Sequence, residues 1–333
     1  MIVGRNRRRA VAGGSAPALR VGASGSVSAF RVVASRFAPA LRAVASRSAA
    51  LIAILAGLAT LPAASSALAT QHHPTGIFVP FADCPLSNPT VEKCVVIKST
   101  GEFTAGNRTV PLTNPITLQG GTFENPTTEE TTFVGAEDGN TLSRTPETVP
   151  GGLAEFAALP PLPKRVRKSI ERLIARFNTV TATIELAAPA SSIGVSIRNL
   201  FFEEGPVLTL PVKIKLTNPL LGDRCYVGSD RDPVVLEFTV GTTTPPPPNT
   251  PITGRPGEIR VVEGGLLAVL ENNVLVNNSF AAPEAHDCGR IGPLPATPLL
   301  NHALGLPSAA GHNTAILDAS LEEVTALAAR ESE

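Results

Sequence analysis

From Gly76 onward the chain is a succession of short β-branched or aromatic runs, each cut off by proline, glycine, asparagine or serine. Punctuation of this kind works against long helices, because proline removes a backbone donor and an internal glycine weakens a helix. The 31 prolines and 28 glycines extend it over the whole chain. Residues 76–81, 94–98, 101–106 and 107–112 read as strands, the last two forming a hairpin. Residues 179–186 alternate apolar and polar side chains with period two. Residues 207–216 repeat the pattern, with Val212, Ile214 and Leu216 on one face and Lys213 and Lys215 on the other. Residues 234–240, 259–262, 266–270 and 274–276 bring the set to about ten strands. The expected fold is all-β: an antiparallel β-sandwich or barrel-like domain with one or two short helices and two disulfides.

Two segments carry helical signals. Arg165 to Phe177 puts Val166, Ile170, Leu173, Ile174 and Phe177 on one stripe and basic groups opposite. Ser320-Leu321-Glu322-Glu323 matches a capping box and predicts a short helix reaching Ala329. A one-turn helix at 298–304, stopped by Gly305, is also expected. The Phe201-Phe202 pair reads as part of a strand with a second buried layer behind it.

Charge is segregated along the chain. Residues 1–69 hold nine arginines, no lysine and no acid, leaving 19 basic against 28 acidic side chains, a net −9, in the remainder. A body so acidic repels polyphosphate, which speaks against nucleic-acid binding. The thirteen apolar residues Ala49 to Leu61 are too few to span a bilayer and precede the small-x-small site Ala67-Leu68-Ala69. These features predict a signal peptide over 1–69 with a long, Arg-rich, disordered n-region. Cleavage leaves Thr70 as the new N-terminus and no membrane span. Arg7-Arg8-Arg9 lies too far from the apolar run for a twin-arginine signal, so the expected route is the general secretory one.

All four cysteines follow the cut, and an even count in an exported chain points to disulfides. Loop lengths favour Cys84–Cys94 and Cys225–Cys288. The second pair straddles the proline-rich stretch 243–251, which therefore reads as a loop inside a single β-rich domain spanning 70–333.

The densest cluster of turn residues, Lys215 to Pro233, surrounds Cys225. Asn218-Pro219 ends a strand there, and Gly222, Gly228, Asp223, Ser229, Asp230 and Asp232 supply turn chemistry rather than a calcium loop. Leu112-Thr113-Asn114-Pro115 repeats Leu216 to Pro219 and suggests a second, equivalent strand end. Two sequons, at Asn107 and Asn277, read as surface loops.

The stretches CYVGSDRDP, GTTTPPPPNTPITG, NNSFAAPEAHDCG and GLPSAAGHNTAIL (starting at Cys225, Gly241, Asn277 and Gly305) together resemble a family of exported actinobacterial proteins of unknown function. The resemblance implies a secreted or cell-wall-associated address. It brings no activity and no catalytic residue.

Catalytic motifs are lacking: there is no G-x-S-x-G elbow, H-E-x-x-H helix, P-loop or dinucleotide glycine pattern. His72 and His73 sit in the new N-terminus. His286-Asp287 could pair as base and orienter, and His302 and His312 flank Ser308. Without tryptophan and with one tyrosine, Tyr226, the chain lacks the aromatic platforms of sugar-binding modules. The expected function is a non-enzymatic, cofactor-free binding or structural module contacting an envelope component or a protein. The alternative is a secreted hydrolase of unfamiliar type using Ser308, His286 and His312.

Overall fold

The computed structural model describes residues 73–125, 131–156, 159–262 and 265–332. The expected leader, its expected cleavage site at Ala67, Ala69 and Thr70, and His72 lie outside the described residues. Those described belong to one compact unit that begins at Ser66.

Two antiparallel sheets face each other. The first has six strands in the order β10-β11-β15-β1-β2-β3: β1 (Lys93–Ala105), β2 (Arg108–Glu124), β3 (Thr131–Gly135), β10 (Glu258–Val262), β11 (Leu267–Asn277) and β15 (Thr314–Thr325). The second is built on β7 (Leu208–Thr217). One edge of β7 carries β5 (Thr181–Leu186) and β6 (Gly194–Val195), and β4 (Pro146–Thr148) continues that side beyond β5. Its other edge carries β9 (Val234–Phe238) and β8 (Tyr226–Val227), with β12 (Ala285–His286) beyond β8. A two-stranded ribbon, β13 (Arg290–Ile291) with β14 (Leu294–Pro295), lies apart. The α-helices are short: α1 (Gly152–Phe156), α2 (Lys164–Arg176), α3 (Ile197–Phe202), α4 (Ala296–Leu304) and α5 (Ala326–Glu331).

The expected all-β architecture is therefore present, and its cause is visible in β7. Leu208, Leu210, Val212, Ile214 and Leu216 are buried, while Thr209, Lys213 and Lys215 are half-exposed. That period-two face meets Val95, Ile97, Phe103, Leu317 and Leu321 of the opposite sheet in one core. A smaller core forms on the outer face of the six-stranded sheet, where Phe81, Leu86, Val91, Val96, Val269 and Val324 pack around Cys84–Cys94. Cys225–Cys288 forms as expected and joins the β7–β8 corner to the chain before α4.

Local expectations fared unevenly. Residues 94–98 and 101–112 fall in the β1–β2 hairpin, whose two-residue loop uses the positive φ (+55°) of Gly106. The runs expected at 266–270 and 274–276 merge into one strand, β11, which starts at Leu267 and passes through a bulge at which Asn272 takes φ +61°. Gly76–Phe81 is a 3-10 helix rather than a strand. Pro80 inside it cannot donate to a sheet, and Phe81 is drawn into the smaller core. The capping box at Ser320 also fails, since residues 320–325 finish β15. That strand sits between β1 and β11, so pairing on both edges overrides the helix preference of its Leu and Glu residues. The helix starts later, capped by Thr325, whose hydroxyl accepts from the Ala328 N–H at 3.3 Å.

Phe201 and Phe202 lie on α3, not on a strand, and neither is buried: they are 57% and 65% exposed. Ser196 caps that helix by accepting from the Asn199 N–H. The repeat at Leu112 to Pro115 is not a strand end either. β2 continues through it, and three residues, Thr113 to Pro115, bulge opposite Thr100. Buried Glu147 pins that bulge, its carboxylate accepting from the Asn114 N–H at 2.7 Å and the Thr113 hydroxyl at 3.0 Å. The second sequon is no surface loop, because Asn277 ends β11 and is buried.

Candidate functional site

The corner after β7 is held from within. Asn218 is buried; its amide donates to the Phe177 and Thr179 carbonyls at 2.6 and 2.8 Å, and its oxygen accepts from the Leu220 N–H. All its polar atoms serve the turn, as buried amide groups require. Beyond Cys225, the Ser229 hydroxyl accepts from the Arg231 and Asp232 N–H groups, while Asp230 forms an ion pair with Lys213. Among the described residues no three acidic, histidine or cysteine side chains converge as metal ligands.

The histidine candidates do not assemble into a triad. His286 does reach Asp287, with Nδ1 3.1 Å from the carboxylate, and Asp287 adopts φ +54° to allow it. Its Nε2, however, lies 2.8 Å from the Gly228 carbonyl oxygen, and the ring stacks on Tyr226. Both nitrogens thus face oxygen atoms of the protein itself, so neither is turned toward a substrate. Ser308 is buried in a backbone bridge to Ala282, whereas His302 and His312 are exposed. Among the described residues no hydrogen bond joins Ser308 to His286, His302 or His312. His73 is exposed.

What the structure offers instead is a slot between the two sheets. At the end nearest the β1–β2 turn, Phe103, Leu112, Ile184, Ile214, Leu216 and Leu304 enclose a void of about 60 Å³. A second void of about 40 Å³ shares Phe103, Leu112, Ile116 and Ile184 and continues deeper into the interior. The slot opens along β5, where inward-facing Ala182 and Ile184 are only half-buried. A void of this size exceeds the 10–15 Å³ one water needs, yet aliphatic walls give water no partners. An apolar guest gains by filling it.

Polar groups gather at one side of this slot: Arg108, Thr145 and Glu147. Glu147 is committed to the β2 bulge. Arg108 opens β2 and clasps α1 by an ion pair with the Glu155 carboxylate and a 3.0 Å bond from Nη2 to the Glu155 carbonyl. α1 is thereby tied over the hairpin end of the slot. Sequence reading missed the slot because it arises from how two sheets fail to close on each other, which no single strand encodes. No family model, curated protein or solved structure matches the chain.

Proposed function

We propose that the protein is an exported, non-enzymatic binding module that holds an apolar or single-chain amphiphilic molecule in the slot between its sheets. The half-open aliphatic slot carries this reading: concave, apolar and lined by few polar groups, it has the character of a small-molecule site. Both disulfides are formed, which fits an oxidising, non-cytoplasmic environment and supports export to the cell exterior or envelope.

The test is titration calorimetry with straight-chain carboxylates from four to twelve carbons. Each methylene that enters the slot adds about 0.8 kcal/mol, roughly fourfold in affinity, until the void is full and the series levels off. Ala182→Trp fills the opening and abolishes binding while leaving the thermal midpoint intact. Chain-length-independent binding, or full affinity in Ala182→Trp, overturns the reading.

A further inference from the structure

We propose a second site, on the exposed face of α2, that docks a linear phosphate polymer. The helix carries Lys164, Arg165, Arg167, Lys168, Arg172 and Arg176 in thirteen residues, against a single acid, Glu171. Six of the 19 basic groups outside residues 1–69 are therefore concentrated in one element of an otherwise acidic body.

Their arrangement is directional. Lys164, Lys168, Arg172 and Arg176 follow one another at intervals of four, so they form a single row with steps of about 6 Å and a length of about 18 Å. Arg165 projects within the same arc of about 120°. All five are exposed, and none forms an ion pair with a described residue. Like charges at i, i+4 weaken a helix. Three such pairs stand here with Glu171 as the one acid on the helix, so an anionic partner stabilises this face as it binds.

The opposite stripe decides between partners. Ile170 and Ile174 are 1% and 5% exposed and packed into the main core. A helix that lies in a membrane interface must bury its apolar face in lipid, and this one has already spent that face on the protein. A row of cations with no apolar edge suits a thin chain laid along it. A thin chain also touches only α2, avoiding the acidic remainder of the body. The composition-based argument against polyphosphate holds for the average surface but not for this strip.

Binding of long-chain inorganic polyphosphate to the full disulfide-bonded exported protein tests the assignment. With five contacts at about 0.7 each, log K falls against log salt with a slope of about 3.5. Lys168→Gln with Arg172→Gln lowers the slope to about 2 and weakens binding about 25-fold at 0.1 M salt. Arg231→Gln, on a distant exposed turn, changes neither. The double variant loses no ion pair and relieves all three like-charge pairs, so its thermal midpoint does not fall. Absence of polyphosphate binding overturns the proposal, as does binding indifferent to the double substitution. So does sedimentation with phosphatidylglycerol vesicles in place of polyphosphate, or self-association lost in the same variant. The slot series is unaffected by these substitutions, so the two sites stand or fall separately.

Discussion

Asn313 offers the sharpest test of how the loops around the slot are held. It is fully buried just before β15. Its amide nitrogen donates toward the Phe280, Ala309 and Ser308 carbonyls at 2.8, 3.1 and 3.3 Å, and its oxygen accepts from the Gly106 N–H at 2.8 Å. One side chain therefore fastens the β1–β2 turn to two other segments. Asn313→Ala deletes about three net hydrogen bonds at about 1 kcal/mol each and leaves the half-buried Gly106 N–H without its acceptor at a similar cost. The expected loss is about 4 kcal/mol, or roughly 8–16 °C in thermal midpoint for a chain of this size. Asn313→Asp is worse still, since it replaces the donor by a second acceptor aimed at carbonyl oxygens. Asn140→Ala, which removes an exposed contact with Asp138, serves as the reference and costs less than about 0.5 kcal/mol. Urea and thermal unfolding followed by circular dichroism measure all three. A loss below about 1 kcal/mol in Asn313→Ala, or an aspartate variant more stable than the alanine one, refutes the reasoning.

Two further outcomes follow from the covalent and backbone constraints. On the chain-entropy model, replacing Cys225 and Cys288 by alanine costs about 4 kcal/mol, against about 3 for Cys84 and Cys94, because their sequence separations are 63 and 10. Denaturation of the two double variants orders them accordingly, and the reverse order contradicts the loop-length argument. Gly101 holds φ +143° where β1 crosses the bulge, and a Cβ there would collide with the Ile316 carbonyl oxygen of the neighbouring strand. Gly101→Ala should accordingly lower the midpoint by more than about 5 °C, and an unchanged melt would show that β1 and β15 can shift to admit the methyl.

How much of this was legible before the fold was known depended on where the deciding partner lay. The strands whose own alternation selects a face, β7 and β9, could be read directly, and so could α2 from its apolar stripe; β5 forms where its alternation predicts, though all six of its residues are half-buried. The identical tetrapeptides at Leu112 and Leu216 could not. One is a strand end clamped by its own Asn218; the other is a mid-strand bulge clamped by Glu147, which comes later in the chain. Residues 320–325 misled for the same reason, since their neighbours on β1 lie more than 200 positions away. Asn218 reads in sequence as a strand-ending turn residue, yet Asn218, Asn249 and Asn313 all act as clamps, Asn249 reaching the Asn278 and Asn313 carbonyls from the proline-rich loop. Their side chains supply both donor and acceptor, and burial decides which use prevails. Of the site, the strip on α2 was visible as a pattern, whereas the slot needed both sheets in place.

The position of β15 sets the timetable for assembly. Among the described residues it is the last strand in chain order, yet it is a middle strand of its sheet, with β11 on one side and β1 on the other. Until Thr314 to Thr325 are in place, two ladders' worth of backbone on β1 and β11 stay bare, and the six-stranded sheet exists only as separate pieces. The six-stranded sheet therefore cannot close strand by strand from its amino-terminal end, and a chain halted before Thr314 presents two adhesive margins where the finished one has a seam.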